Sequence, residues 1–366
     1  MKKLKKANQV SLVVSLLLKM KKILPIYSRK EVKKAGEILI SSDKNFDEKS
    51  WALEVMNNWR ACHSYPVNTF QSNLRKKIKD NGFKNALVVQ RLKRVPSIIG
   101  KLERFPSMQL SRMQDIGGLR VILTTIDQVR ALINDFNSSK FRHELVREYD
   151  YIKNPKKSGY RGVHLVYKYS NSRAPEYNNL QLEIQVRTKL QHSWATAVET
   201  MGTFLQHPLK SSEGPDEWLE FFSMAGSAFA YLENAPVLYE YKDLTESQIT
   251  KELIERESKL KLIDQLKAFR ETVKAFEQRN LNYKYYLLLL KMNERLVRFE
   301  GFRAKELDLA TERYLYYEKE FGEQKSNQIV LVSGDSFKSL KKAYPNYFLD
   351  THEFINQLKR LFKEYG

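Results

Sequence analysis

The sequence has 366 residues, of which 42% are hydrophobic and 12% aromatic. This length and composition exclude a disordered or fibrous protein and predict at least two packed domains. The single cysteine, Cys62, excludes a disulfide framework and a multi-cysteine zinc site, and we expect it to be buried in a protein of the reducing cytoplasm. A net charge of +20 favours anionic partners, namely nucleotides, RNA or an acidic membrane surface, without choosing among them.

The N-terminus combines MKKLKK with a short apolar run, Val10–Leu18, which further lysines follow. This run is too short to span a bilayer, and no small-residue cleavage site follows it. We therefore expect an amphipathic helix within a basic N-terminal extension, residues 1–44, and no stable membrane insertion.

Between about Lys30 and Ile78 the apolar residues follow a helical spacing, which Pro66 is expected to interrupt. The basic segment from Arg91 to Lys101 is also expected to be helical. From Asp115 onward, short extended runs with intervening helices indicate a mixed α/β sheet. The predicted strands are 119–124, 145–151, 163–169 and 180–186, and the predicted helices between and after them are 126–136 and 191–205.

The rest of the chain is expected to begin with an aromatic-rich helix at 218–240. An apolar seam follows, which we expect to pack within its own domain rather than in a coiled coil. The seam consists of Leu262, Leu266, Phe269, Val273 and Phe276. The change of period beyond it predicts a separate ββαβα domain with hairpin strands 285–292 and 295–302, helix 305–320, strand 329–333, and helices 337–343 and 352–362.

The predicted fold class is therefore α/β, in the α+β sense. A mixed sheet with flanking helices occupies residues 45–210, a helical segment occupies 211–279, and the small C-terminal domain occupies 280–366.

The stretch QLEIQVRT, residues 181–188, combines an apolar and a polar strand face. Alternate side chains of a strand point to opposite faces, so Glu183, Gln185 and Arg187 share one face and the apolar residues share the other. A carboxylate, an amide and a guanidinium on an internal strand must meet water, a ligand or one another. A solvent-exposed sheet face gives the same alternation, so this stretch alone does not establish a site.

Asp115 lies just before the pair Gly117-Gly118, at the start of a predicted strand. Glycine lets the backbone approach a ligand or a neighbouring element closely. An acid at such an edge suits Mg²⁺, which usually takes only one or two protein carboxylates together with phosphate oxygens. An ordinary turn aspartate is the alternative interpretation.

Two basic stretches flank Asp115 along the chain. Residues 91–101 contain Arg-x-Lys, Ser97-Ile98 and Lys101, which alone indicate only a solvated charged face. Residues 150–164, DYIKNPKKSGYRGVH, predict a basic loop in which lysines neutralise phosphates and an exposed Tyr160 stacks on a base. The alternative for this loop is a long, mobile hairpin connection with solvated charges.

Taken in chain order, the four stretches resemble the synthetase domain of the RelA/SpoT family, the alarmone synthetases. The family's patterns are R-x-K-x-x-x-S-I-x-x-K, D-x-x-G-x-R, D-Y-I-x-x-P-K-x-x-G-Y-R-S-x-H and E-x-Q-x-R-T, and they correspond here to residues 91–101, 115–120, 150–164 and 183–188. The resemblance covers roughly residues 45–205. Gly162 is a departure, since the family usually has serine there.

The resemblance implies a nucleotidyltransferase-like domain that transfers the β,γ-pyrophosphate of ATP to the ribose 3′-hydroxyl of GDP or GTP, giving (p)ppGpp-type alarmones. It implies that Asp115 and Glu183 hold Mg²⁺ and that Glu183 also takes the proton of the hydroxyl. The residues implied for ATP are Arg91 and Arg120, around the adenine, and Lys93, Ser97 and Lys101, near the phosphates. The residues implied for the guanosine acceptor are Tyr160, stacked on guanine, and Lys156, Arg161, His164, Gln185 and Arg187.

Two other functions stay open on the sequence. A toxin of the same family would modify the 3′ end of tRNA, which the charge of +20 and the long C-terminal region favour. A degenerate nucleotide-binding regulatory protein is the other, and the presence of Asp115, Tyr160 and Glu183 argues against it. None of the six histidines precedes an aspartate, so we expect no His-Asp hydrolase like that of the family's bifunctional members. The C-terminal domain is expected to regulate or to recognise RNA, a regulatory protein or a second copy of the chain.

Overall fold

The computed structural model describes residues 23–365, except for 94, 140, 206, 208, 268–282, 284, 292–295, 304, 322–326 and 334–350. Three predictions lie outside these residues, namely the amphipathic helix at the N-terminus, the helix at 337–343, and the last three seam positions. The chain divides into two compact units. The first comprises Met1–Tyr149 and Val163–Val186, and the second comprises Asp150–Gly162 and Arg187–Gly366.

Three helices begin the first unit: α1 (Arg29–Ile40), α2 (Phe46–Cys62) and α3 (Ser64–Asp80). Capping boxes at Ser28 and Asn45 start α1 and α2, because each side chain accepts a backbone N–H that the helix leaves unpaired. The break before α3 lies at His63, so the predicted interruption at Pro66 is wrong. Proline is tolerated in the first turn of a helix, where its missing N–H has no partner to lose. Cys62 is buried as predicted, and burial raises the pKa of its thiol to about 12.

The first unit is built around a five-stranded mixed sheet in the order β1-β2-β5-β4-β3. This confirms the predicted fold class, and each predicted strand agrees with its observed counterpart to within two residues at either end. Helices α4 (Val95–Arg104) and α5 (Ile126–Ser138) connect β1 to β2 and β2 to β3. The strands are β1 (Leu87–Leu92), β2 (Gly117–Leu123), β3 (Glu144–Asp150), β4 (Val163–Lys168) and β5 (Gln181–Thr188).

The segment around Arg91 is a strand, not the helix that its charge pattern predicted. Residues 87–92 form β1, which pairs antiparallel with β2 and places Arg91 opposite Gly118. Val88 and Val89 favour an extended backbone, and pairing along the whole of β2 outweighs any weak helical propensity. The helix begins only at Val95, with Pro96 in its first turn.

Gly117 explains how β2 reaches its neighbours. A Cβ atom built at this position would lie 2.8 Å from side-chain atoms of both Leu182 and Val67, and 3.1 Å from His63. Any larger residue would therefore push β2 away from β5 and from helix α3. This close approach fixes the strand edge that follows Asp115.

The second unit contains a helical core and a small sheet. The helices of the core are α6 (Lys189–Phe204), α7 (Asp216–Leu232), α8 (Glu246–Leu260), a short helical segment at 262–267, and α10 (His352–Tyr365). Leu262 and Leu266 are fully buried in this core, which confirms for these two positions that the seam packs within its own domain. Helix α7 ends at Leu232, eight residues short of the predicted helix.

The small sheet consists of β6 (Tyr285–Lys291), β7 (Leu296–Phe302) and β8 (Asn327–Ser333), and helix α9 (Leu307–Phe321) lies between β7 and β8 in the chain. The strand order is β7-β6-β8, both pairs are antiparallel, and α9 packs on the sheet. This confirms the predicted hairpin, helix and strand.

The compact units differ from the predicted domains in two ways. The loop Asp150–Gly162 and the segment Arg187–Gly366 belong to one unit, whereas the predicted boundary lies at residue 210. The predicted ββαβα domain is not separate either, because its last helix, α10, lies in the helical core. Phe354, Leu358 and Leu361 are fully buried there among residues of α6, α7 and α8. An apolar helix face must be covered, but the sequence does not say by which element.

Candidate active site

Asp115 is held by two lysines that arrive from different elements of the first unit. Lys93, just after β1, donates to Asp115 Oδ2 at 2.7 Å, and Lys101, on α4, donates to Oδ1 at 2.9 Å. Burial opposes ionisation of this carboxyl group, but the charges of the two lysines outweigh it and lower its pKa, while Glu183 acts in the opposite direction. Asp115 is therefore ionised at neutral pH, and both of its oxygens face cations.

The position of Lys93 depends on a residue that the sequence did not single out. The guanidinium of Arg60, a buried residue of α2, donates through Nε to the carbonyl oxygen of Lys93 at 2.7 Å. The backbone N–H of Lys93 donates to Ile116 at 2.8 Å, beside Asp115. Arg60 lies between Trp59 and Ala61, and a charged residue between apolar neighbours is the one signal in the sequence that could have pointed to it.

Glu183 is the centre of a second group of polar residues in the first unit. Its Oε1 lies 2.8 Å from Nδ1 of His164, and its Oε2 accepts from Nε2 of Gln185 at 2.6 Å. The antiparallel register of β4 and β5 sets His164 opposite Gln185, so His164 reaches Glu183 diagonally across the strands. Residues 182, 184 and 186 are fully buried on the other face, which confirms the predicted alternation.

The pKa of Glu183 lies well below its usual range. Burial alone would raise it, but the charge of His164 and the hydrogen bonds from His164 and Gln185 lower it further than burial raises it. Lys101 contributes in the same direction, and Glu183 in turn raises the pKa of Asp115. The two carboxylates therefore share one electrostatic environment within the first unit.

The remaining residues predicted for ATP lie on the same elements. Ser97 and Lys101 are one helical turn apart on α4, so they lie on the same side of that helix. On the strands, Val89 pairs with Arg120 and Arg91 pairs with Gly118. Positions 91 and 120 are thus diagonal neighbours on adjacent strands, and their role around the adenine stays a prediction.

The loop from Tyr151 to Gly162, which we call the Tyr160 loop, belongs to the second unit. The prediction that Tyr160 is exposed is wrong, because its side chain is only 2% exposed and lies in the helical core. Its ring packs 6.3 Å from the ring of Trp194 on α6. The guanidinium of Arg187 lies 4.8 Å from the ring centroid, and the ammonium of Lys156 lies 5.4 Å from it.

These contacts bring together three of the residues predicted for the acceptor, Tyr160, Lys156 and Arg187. Lys210, which the sequence analysis missed, lies 5.5 Å from the same ring. A base can stack on Tyr160 only after one of the covering groups moves from the face of the ring. The stacking role itself stays a prediction.

Arg161, also predicted to contact the acceptor, forms its hydrogen bonds with the protein backbone. It is 3% exposed and donates to the carbonyl oxygens of Gly159 at 3.0 Å, Gly226 at 2.7 Å and Pro236 at 3.0 Å. A direct contact with an acceptor would have to break these buried charge-assisted bonds. The structure thus favours a supporting role for Arg161 within the second unit.

Within the described residues there is no cluster of three or more His, Cys, Asp and Glu side chains arranged around one point. A complete protein cage for a metal is therefore not formed by these residues. Asp115 and Glu183 are both ionised and partly buried, and a hard divalent cation bound to a nucleotide needs only one or two such carboxylates. The donor set consequently fits a metal that shares its ligands with phosphate groups.

The chain is similar to known proteins over the range that contains the candidate site. Residues 90–202 match the model described as the region found in RelA / SpoT proteins. The GTP pyrophosphokinase YjbM of Bacillus subtilis is 29% identical over 152 residues, 41% of this chain and 72% of that protein. The GTP pyrophosphokinase YwaC of the same organism is 30% identical over 114 residues, which are 29% of this chain and 52% of that protein.

Among solved structures, the small alarmone synthetase 1 of Bacillus subtilis bound to its product pppGpp aligns with a TM-score of 0.41. It is 26% identical and covers 47% of this chain and 89% of its own. No helix of the described residues is both long and apolar enough to cross a membrane. The matched residues include Asp115, Glu183 and the whole Tyr160 loop. Residues 90–202 of this chain, which we call the RelA / SpoT region, are therefore similar to the region found in RelA / SpoT proteins.

Proposed function

We propose that this chain is an ATP-dependent pyrophosphokinase that uses Mg²⁺ and takes GDP or GTP as the acceptor. The observation that carries the proposal is the pair of ionised carboxylates, Asp115 and Glu183, each bonded to basic or amide donors within the RelA / SpoT region. Two relatives named GTP pyrophosphokinases support the same reaction.

The proposed reaction moves one group between two nucleotides. The ribose 3′-oxygen of the acceptor bonds to the β-phosphorus of ATP. The bond from that phosphorus to the oxygen bridging it to the α-phosphorus breaks, AMP leaves, and the hydroxyl proton passes to a base. Such transfers depend on positioning and charge neutralisation more than on covalent chemistry with the protein. Lys93 and Lys101 are suited to charge neutralisation, because both lie beside Asp115, the residue proposed to bind the metal of the nucleotide.

Asp115 and Glu183 would hold Mg²⁺, which supplies charge neutralisation at the phosphate oxygens when it is bound. The chain's own contribution is to keep both carboxylates ionised and fixed in place. His164 and Gln185 orient Glu183, and Lys93 and Lys101 orient Asp115. Gln185 and His164 are also the acceptor residues proposed for the first unit.

A tRNA 3′ end is the second candidate acceptor. The net charge of +20 favours it, because RNA binding rests largely on the neutralisation of phosphates by Lys and Arg. The two acceptors share the same donor chemistry and differ only in what carries the 3′-hydroxyl.

Incubation of the full chain with Mg²⁺ and γ-labelled ATP, together with GDP, GTP or bulk tRNA, tests the proposal. We expect label in the guanosine nucleotides. Label in tRNA alone would replace the proposed acceptor, and label in none of the three would overturn the function.

Glu183→Gln and Asp115→Asn keep the size of each side chain and remove its charge. We expect each to lower the transfer rate by at least ~100-fold, about 2.7 kcal/mol of transition-state stabilisation. Glu148→Gln is the matched control, because Glu148 is an exposed residue of β3 in the same sheet. Transfer by Glu183→Gln within about tenfold of the wild type would contradict the assigned role.

A further inference from the structure

The Tyr160 loop is built onto a helix that lies outside the RelA / SpoT region. Gly159, in the loop, has a left-handed backbone with φ of +87°, and a Cβ there would lie 3.0 Å from the backbone of Phe222 and Ser223 on α7. Gly226, one turn further along α7, faces the loop in return. A Cβ at Gly226 would lie 2.7 Å from the carbonyl oxygen of Gly159 and 3.0 Å from its Cα. Two glycines thus allow backbone to meet backbone.

Arg161 closes this contact with hydrogen bonds. Its Nη1 donates to Gly159 in the loop and to Gly226 on α7, and its Nη2 donates to Pro236 beyond the end of α7. One buried guanidinium therefore ties the loop to both sides of the helix terminus. Trp194 adds a further tie, since its Nε1 donates to the carbonyl oxygen of Phe222 at 2.8 Å while its ring packs near Tyr160.

Glu233 is a carboxyl group whose charge acts on this buried guanidinium without a direct hydrogen bond to it. It follows α7 directly and lines one small cavity together with Arg161, Gln191 and Gly226. Burial raises the pKa of Glu233, and the charge of Arg161 together with hydrogen bonds from Thr188 and Gln191 opposes that rise. Gln191 Nε2 donates to Glu233 Oε2 at 2.8 Å, which connects this carboxylate to the beginning of α6.

We propose that Gly226 and Glu233 are positioning residues for the acceptor, because they fix the Tyr160 loop to α7. Neither residue lies within residues 90–202, so the acceptor loop of this chain is shaped by a segment beyond the family region. The inference rests on the proposed function, because it takes the Tyr160 loop to bind the acceptor. A loop that is already fixed loses less conformational entropy when the acceptor binds, and so binds it more tightly.

Gly226→Ala is the sharpest test, because the added methyl group must displace the backbone of Gly159. The same change raises the helix propensity of α7, so it is not expected to unfold the unit. Gly100→Ala is the matched control, since it adds a methyl group to helix α4 where no atom beyond the adjacent residues and the helix's own backbone lies within 4 Å. Glu233→Gln removes the charge opposite Arg161, and Glu217→Gln makes the same change at an exposed position in the first turn of α7.

Two measurements on the full chain decide the proposal. Limited trypsin digestion, followed by mass spectrometry, reports cleavage after the exposed residues Lys156 and Lys157 of the loop. We expect Gly226→Ala to speed this cleavage about fivefold or more, because a released loop populates open conformations more often. We expect its KM for GDP or GTP to rise about fivefold while its KM for ATP stays within about twofold of wild type. Glu233→Gln is expected to shift both quantities in the same direction, and the two controls to shift neither.

Cleavage at the wild-type rate in Gly226→Ala would refute the anchor. Faster cleavage with an unchanged or lower acceptor KM would refute the positioning role and indicate that α7 restrains the loop instead. An equal rise in the KM for ATP and in the KM for the acceptor would indicate a general loss of structure and would also overturn the positioning role. A wild-type protein that labels no acceptor removes the proposed function, and the positioning role with it, whereas failure of the anchor alone leaves wild-type transfer intact.

Discussion

Leu358→Ala should destabilise the second unit, although Leu358 lies at the far end of the chain from the RelA / SpoT region. Leu358 is fully buried on α10, in a core shared with α6, α7, α8 and Tyr160. Replacing a buried leucine by alanine removes burial of apolar surface and leaves a cavity, and together these cost about 2–5 kcal/mol. The stability of a typical domain is only about 5–15 kcal/mol, so one such change removes a large share of it.

Urea unfolding followed by tryptophan fluorescence measures this loss. Trp194 and Trp218 lie in the helical core, whereas Trp51 and Trp59 belong to the first unit, so a background with Trp51→Phe and Trp59→Phe isolates the signal. Lys359→Ala is the control, because Lys359 is the exposed neighbour of Leu358 on the same helix. A loss below ~1 kcal/mol, or one no larger than that of Lys359→Ala, would refute the claim that α10 completes the core.

Two further predictions concern the candidate site. The pKa of Glu183 is depressed in the folded state, so its ionisation stabilises the protein above its unfolded pKa of about 4.3, and this contribution is lost as the pH falls below that value. The Tm of wild type and of Glu183→Gln is measured from pH 6 to pH 3. We expect the Tm of the wild type to fall more steeply with falling pH than that of the variant. The opposite trend would contradict the lowered pKa. Tyr160→Ala should weaken GDP binding by about 1–3 kcal/mol in calorimetry and leave ATP binding unchanged. Tyr160→Phe is the control, because it keeps the ring. A loss of ATP affinity would assign Tyr160 to the donor side or to packing alone.

The sequence predicted the sheet of the first unit well because its local signals agree with the tertiary structure. In β5, the alternation of apolar and polar residues is also the alternation of core and site, so Glu183 and Gln185 were placed on the correct face. Asp115 was correctly placed at a strand edge, since Gly117 marks a close approach of backbone to its neighbours. The partners of these residues were not predictable in the same way. Arg60 reaches Lys93 across 33 positions in sequence, and no local pattern specifies such a contact.

The errors have a common physical cause, which is that charge and spacing describe one segment at a time. Arg91 was assigned to a helix because basic residues recur around it, but pairing with β2 decides its backbone. Tyr160 was predicted to be exposed because lysines and glycines surround it, yet it lies in the helical core, where Trp194, Arg187 and Lys210 lie against its ring. The C-terminal domain was predicted to be separate because the spacing of its apolar residues changes, although α10 packs in the helical core. Each of these outcomes depends on an element distant in sequence.

The electrostatics of Glu183 bear on the division of labour within the proposed mechanism. A general base is most effective when its pKa lies near the working pH, since a much lower pKa makes it a weak acceptor of protons. The donors His164 and Gln185 hold the pKa of Glu183 far below that range, so they favour its role as a charged ligand over its role as proton acceptor. The same hydrogen bonds fix the carboxylate in one orientation, which a metal ligand needs. Of the two roles that the family resemblance implied for Glu183, its lowered pKa and fixed orientation are thus better suited to holding a metal than to taking the proton.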